Sequence, residues 1–249
     1  MNNKIVSQWK KDECAPFEGW NFSHLKRRVT EEKPPWNYVK TAKKLAKGCL
    51  CVLDIDTGGG EVLSKIISRR HKCYAIEGYT TNVRVARKNL KRLGVNVIYA
   101  NSSRTFPFND ETFDCVLNRH GAINAKEIYR VLKKDGVFFT QQVDTRKNLI
   151  DLLRIFGAQP KWVFNYLQYR KKELVQLGFT PLKAHEWKGN IIFKDVGALV
   201  YFLKATSWLV DNFSVRSHHK YLERLQKKLE KEGKLQFTIA RFCILAQKK

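Results

Sequence analysis

Asp54, Asp56, Thr57, Gly58 and Gly60 stand close together, directly after the apolar pair Val52-Leu53. An acidic residue at the end of an apolar run, followed by glycines, marks a turn where a backbone can pass close to a ligand, because no Cβ stands in the way. Such a turn also occurs for packing reasons alone. The next apolar run, Lys72 to Ile76, ends at Glu77. That places a carboxylate about twenty positions after the glycines, the spacing at which α/β nucleotide sites hold two ribose hydroxyls. A carboxylate suits this task because it accepts hydrogen bonds from both. Further on, Asn118, Arg119 and His120 follow the run Phe113 to Leu117, and Gln141, Gln142 and Asp144 close the run from Gly136. An imidazole titrates near neutrality, so His120 is the candidate general base; a loop histidine that only shapes its pocket is the plainer reading.

These residues need strands that end at one edge. The pattern predicts strands over residues 49–55, 72–76, 95–99, 113–117 and 136–142, with helices over 61–69, 81–93 and 125–132 between them. Later helices are expected at 148–156 and 162–177, ended by Gly157 and Gly178. Two last strands are expected at 180–187 and 233–246. About 45 residues separate them, read as an apolar helix from Val196 capped by Asp195 and a charged helix from Ser214 to Glu232. Alternating strands and helices make a parallel sheet whose ligands sit outside the carboxyl ends of the strands.

The segments Asp54 to Gly60, Glu77-Gly78-Tyr79, Val83 to Ala86, Phe106-Pro107-Phe108, Phe113 to Val116 and Glu127 to Gly136 together resemble the class I S-adenosylmethionine-dependent methyltransferases, strongly over residues 50–145. Trp20 to Ser23 and Pro35 to Tyr38 are similar to the N-terminal part of one bacterial branch of that family. The resemblance implies a Rossmann-like seven-stranded sheet with helices on both faces, here with an N-terminal cap and a helical insertion between strands six and seven. It implies S-adenosyl-L-methionine as cofactor, held by Asp54, Asp56, Thr57, Gly58, Gly60, Glu77, Gly78, Asn101, Ser102 and Asn118. Arg28 and Tyr38 are placed where they could reach its methionine carboxylate. Trp20, Phe22, Arg119, Gln141 and Trp208 would line the acceptor pocket, and His120 or Asp144 would take a proton from an oxygen or nitrogen acceptor. Two positions depart from the family. Asp56 stands where glycine is usual, and Asn101 where an aspartate usually accepts from the adenine amino group.

The chain reads as one domain: an N-terminal cap over 1–40, a core over 41–187, a cap insertion over 188–233 and a last strand over 234–249. A hydrophobic fraction of 43% supports a core. No apolar run approaches the roughly 20 residues of a membrane span, and a cytoplasmic protein without a membrane partner is expected. The six cysteines lack paired spacing for zinc, and no metal is expected. The formal net charge of +24 attracts polyanions. A small-molecule acceptor is the first expectation, from the aromatic caps; an RNA acceptor is the alternative, from the charge, and a non-catalytic binding protein the third. Asn118-Arg119-His120-Gly121 lacks the Asn-Pro-Pro-aromatic run of enzymes that methylate base amines, and no Pro-Cys or Thr-Cys site for pyrimidine carbon is present.

Overall fold

The computed structural model describes residues 3–18 and 20–249. In chain order its main elements are helix α1 (Asn3–Glu13), strand β1 (Val29–Glu31), helix α2 (Tyr38–Ala46), strands β2 (Cys51–Ile55) and β3 (Lys72–Glu77), helix α3 (Thr80–Leu90), strands β4 (Asn96–Tyr99) and β5 (Phe113–Arg119), helix α4 (Ala125–Val131) and strand β6 (Leu132–Val143). Helices α5 (Ile150–Ile155) and α6 (Leu167–Gln176), strand β7 (Phe179–Phe193), helices α7 (Val196–Ala205) and α8 (His219–Glu232) and strand β8 (Leu235–Lys248) follow.

The strands form one sheet in the order β1-β7-β8-β6-β5-β2-β3-β4. Strands β4, β3, β2, β5 and β6 are parallel, whereas β8 runs antiparallel to both β6 and β7. The expected seven strands are therefore present with an eighth, the short β1, added antiparallel to the β7 edge. The strand order reverses at β2, whose neighbours are β3 and β5. That reversal opens a crevice at the carboxyl edge, where doubly wound sheets place their ligands.

The sheet is apolar on both faces. Val52, Cys115, Leu117 and Phe139 pack under α2 and α3, and Leu53, Ile55, Val116 and Phe138 pack on the other side against α4. A third apolar cluster joins α1, α5, α7 and α8 over the far ends of β7 and β8, with Trp9, Tyr201 and Phe237 at its centre. Both caps share this core, which is why they lie together. Asp195 caps α7 as expected, accepting from the Ala198 N–H at 2.7 Å. The charged helix starts later than expected, at His219, because Ser214 and Ser217 bond to each other in a turn ahead of it.

Two helices are shorter than their periodicity suggests. After the glycine turn the expected helix over 61–69 is a single 3-10 turn, Leu63–Lys65, and the Ser68 N–H turns to the His71 ring. No helix long enough to present a dipole to a ligand stands there. The expected helix from Trp162 begins only at Leu167. Trp162 has φ +55°, which breaks a helix at that point. Arg28 does not reach the crevice. Its guanidinium is clamped between Asp12 at 2.7 Å and Asp195 at 3.0 Å, tying α1 to the N-terminus of α7.

Candidate active site

The crevice is lined by the ends of β2, β3, β4 and β5, and its two sides carry opposite charge. The acidic side comes first in the chain. Asp54, the last inward carboxylate of β2, is fully enclosed, and burial pushes it up to about 7; the neighbouring carboxylates of Asp56 and Glu77 add to the rise, while Thr57 and Arg119 oppose it. Glu77 is buried at the end of β3. It accepts from the Gly58 N–H at 2.8 Å and the Tyr79 N–H at 2.9 Å, so it fixes the glycine turn while keeping lone pairs for a ligand. Burial raises its pKa, and these two N–H groups hold the rise back. Gly60 has φ +80°, and a Cβ there would lie 2.7 Å from the Leu90 side chain. The turn is thus pressed onto α3 as only glycine permits.

Asp56 explains its own departure from glycine. Its φ is +55°, the conformation for which glycine is normally used. Its carboxylate accepts from Ser102 Oγ at 2.7 Å and the Ala122 N–H at 2.8 Å. It therefore ties the ends of β2, β4 and β5 together and lies against Gly121, where a Cβ would meet it at 2.5 Å. Asn101 is exposed, and its Oδ1 already accepts from the Ser103 N–H at 2.8 Å, leaving its amide NH2 as the free end. Gly78 leaves open space, with only the Ala100 carbonyl 3.7 Å from a Cβ position.

The opposite side is rich in donors. Arg119 is half-buried and faces Tyr38, Glu31 and Asp54, and burial lowers its pKa. Among the described residues none gives its guanidinium an ion pair or a side-chain hydrogen bond. Tyr38 Oη, Thr57 Oγ1 and His120 Nδ1 are buried without a hydrogen-bond partner among the described residues. Unpaired buried polar atoms are costly, and three around one crevice mark a place for a polar ligand.

His120 is wired as a donor. Trp36 Nε1 donates to Gln141 Oε1 at 2.8 Å, so the Gln141 amide turns its NH2 toward His120 Nε2 at 3.1 Å. Nε2 must then accept, and the ring proton sits on the orphaned Nδ1. Burial, with Arg119 and Arg241 nearby, pushes the imidazole well below its usual range, so the ring is neutral. This arrangement leaves a buried Nδ1–H and an occupied Nε2, so the ring lacks the free lone pair that a general base needs.

Other expected site residues serve the scaffold. Asn118 is fully buried, accepts from Gln142 Nε2 and Thr140 Oγ1, and donates to the carbonyls of Ile55 and Ala122. Asp144 is buried and accepts from Arg146, with Lys147 Nζ at 3.6 Å; its carboxylate closes the turn after β6. Phe22 packs in the shared core of the caps. Trp20 lies over the glycine turn, and Trp208 stacks on it. Their rings stack at 5.8 Å and 7°, and Trp20 Cβ is 3.6 Å from a Cβ position on Gly58. Sequence reading placed Arg119 and Tyr38 near the ligand but not together. Arg241, which pairs with Glu31 at 3.0 Å beside them, was missed; its only trace is the inward alternation of β8.

The raised Asp54 has a consequence for stability. Its folded pKa, about 7, lies above the ordinary 3.8, so the folded state holds a proton that the unfolded chain releases between those values. Stability from this group therefore falls as pH rises through that window. Asp54→Asn is expected to raise stability by on the order of 1–2 kcal/mol at pH 8 and to leave it unchanged at pH 4. Thermal melts at the two pH values check this; an equal shift at both would contradict it.

A doubly wound sheet with an acidic strand end, a glycine turn, a second acidic strand end and a reversal between them defines the class I methyltransferase fold. Residues 53–140, from β2 into β6, match the family model described as a methyltransferase domain. That match covers the ligand-bearing part of the sheet and agrees with the resemblance to the class I S-adenosylmethionine-dependent methyltransferases. Comparison with curated proteins finds no match. Among solved structures it is similar to BH2331 of Bacillus halodurans, a candidate methyltransferase, with 20% identity and a TM-score of 0.60 over 84% of this chain and 98% of that one. It is also similar to YcgJ of Bacillus subtilis, with 16% identity and a TM-score of 0.58 over 85% and 98% of the two chains. The [4+2]-cyclase SpnF shares the fold over 98% of this chain and 91% of its own, at 14% identity and a TM-score of 0.52. At these identities the likeness concerns the fold alone.

Proposed function

We propose that this chain binds S-adenosyl-L-methionine across the ends of β2, β3 and β5 and transfers its methyl group to an oxygen or nitrogen of a small-molecule acceptor. The observation that carries the reading is the polarised crevice. A methionine end bears an ammonium, a sulfonium and a carboxylate. Asp54 and Asp56 suit the first two, and the open Arg119 fork with Tyr38 Oη suits the third. Glu77 has lone pairs for the ribose hydroxyls. When bound, the cofactor supplies an electrophilic methyl group on sulfur.

The chain's own residues then orient the acceptor and exclude water. Trp20 covers the turn with Trp208 stacked on it, and the unpartnered His120 Nδ1–H is a donor that an acceptor's polar atom would satisfy once it is bound. His120 is not set up as a base, which favours an acceptor nitrogen or oxygen that sheds its proton without its help. Calorimetric titration tests the reading. Arg119→Met is expected to weaken cofactor binding about 10- to 100-fold, the worth of a charged hydrogen bond, and Tyr38→Phe by about tenfold or less. Unchanged binding by Arg119→Met, or no binding by folded wild-type protein, would overturn it.

A further inference from the structure

The loop between α5 and α6 carries three consecutive large apolar side chains into solvent. Trp162, Val163 and Phe164 are 64%, 50% and 60% exposed. With none of the three turned inward, the whole tip projects. It is nevertheless held firmly. The Trp162 carbonyl accepts from Thr145 Oγ1 at 2.9 Å and from the Asn165 N–H at 2.8 Å. Asn165 Nδ2 donates to the Val143 carbonyl at 3.1 Å, and Arg170 Nε donates to Asn165 Oδ1 at 3.1 Å. A tryptophan at positive φ is strained, so these bonds maintain the projection against a local cost. The hooks attach just beyond the carboxyl end of β6, on the crevice side of the sheet.

An aromatic ridge joins this tip to the crevice. Trp162 meets Trp208 edge-on at 6.4 Å, Trp208 stacks on Trp20, and Trp20 covers Gly58. Phe164 packs on Tyr169 at 5.2 Å. Basic residues stand on neighbouring helices, Lys171 and Lys172 on α6 and Lys204 on α7. Lys171, Lys172 and Lys204 are exposed and have no ion pair among the described residues, whereas Lys161 pairs with Asp211 at 2.6 Å.

We propose that this tip docks the mouth of the crevice onto an anionic lipid bilayer surface. Trp and Phe on a projecting turn bury at the headgroup–acyl boundary, and nearby lysines meet anionic headgroups. The net charge of +24 draws the chain toward such a surface. Single-stranded RNA would answer to the same charge, but a stacking platform holds ring faces in a groove beside free cations. Here the apex includes the aliphatic Val163, and two of the tryptophans already use their faces on each other. No helix among the described residues is long and apolar enough to cross a membrane, and docking on a surface requires none. The proposal stands apart from cofactor binding, so its test omits the cofactor.

The test is sedimentation of the full chain with vesicles of three parts phosphatidylcholine to one of phosphatidylglycerol, followed by tryptophan emission. Wild-type protein is expected to pellet with a blue-shifted emission, and to bind roughly tenfold less to phosphatidylcholine alone. Trp162→Ser with Val163→Ser and Phe164→Ser, and the milder pair Val163→Ser with Phe164→Ser, should each lose roughly tenfold or more in partitioning while melting as wild type. Failure of wild-type protein to pellet would overturn the proposal, as would equal partitioning by the milder pair. So would retained vesicle binding with loss of binding to a single-stranded RNA oligonucleotide.

Discussion

Arg28→Ala is expected to cost about 3–5 kcal/mol of stability, the penalty for stranding a buried carboxylate. Asp12 is 1% exposed and sits between α1 and α7. Arg28 gives it two bonds, Nη1 at 2.7 Å and Nη2 at 3.0 Å, and two more to Asp195, from Nε at 3.0 Å and from Nη2 at 2.5 Å. Asp195 in turn caps α7, so one guanidinium closes the N-terminal segment onto the cap insertion. Its loss leaves Asp12 with His24 at 2.7 Å and Gln8 at 3.3 Å. The helix N-terminus lies close against it, since a Cβ on Gly197 would meet Asp12 Oδ2.

The effect carries a pH signature. Burial alone would push Asp12 up; hydrogen bonds from Arg28, His24 and Gln8 more than offset it and hold the pKa below 3.8. A depressed carboxylate contributes stability above its unfolded value, and that contribution is lost as pH falls through the folded value. The gap between wild type and Arg28→Ala should therefore be full at pH 7 and shrink below about pH 4. Melting curves at pH 7 should separate by about 10 °C for a chain of this size. Coincident curves at pH 7 would show that the clamp does not hold the caps.

Glu77→Ala is expected to weaken S-adenosylmethionine binding by about 100-fold, near 2.7 kcal/mol. Two causes add. The carboxylate is the reading's acceptor for both ribose hydroxyls, and each hydrogen bond to a charged group contributes about 1.5–3 kcal/mol. The same carboxylate anchors the Gly58 and Tyr79 N–H groups, so its removal also loosens the turn that a ligand must lie against. Glu77→Gln separates the causes, since an amide oxygen can still accept from one backbone N–H while the charge is gone. It should fall between wild type and Glu77→Ala in a calorimetric titration. Wild-type affinity in both variants would remove Glu77 from the ligand site and leave it as a scaffold residue.

Much of the site's plan lies in short stretches. Asp54 to Gly60, Glu77 and Asn118 to His120 each end a run of alternating or continuous apolar residues, and a parallel sheet brings such ends to one edge. Their arrival there needed only local pattern and connection order. The positive φ at Asp56 accounts for the glycine that is usual at this position, and the side chain's two bonds show how a non-glycine residue is kept there.

The partners of long, polar side chains were not legible in the same way. Arg28 and Arg119 are both arginines near apolar runs, yet one is locked by Asp12 and Asp195 and the other has no ion pair among the described residues. Nothing within a few residues of either decides this; it depends on carboxylates far along the chain. The proton on His120 depends on Trp36 and Gln141 in the same way. Trp162 to Tyr166 reads as helix by composition, but Thr145 and Asn165 hold it as a projecting turn. The sequence by itself determined the core of the sheet and its strand ends, because apolar periodicity and glycine sterics act over short spans. Only the tertiary structure decided which charges are spent on the scaffold and which face a ligand, because hydrogen bonds and burial pair residues by position in space.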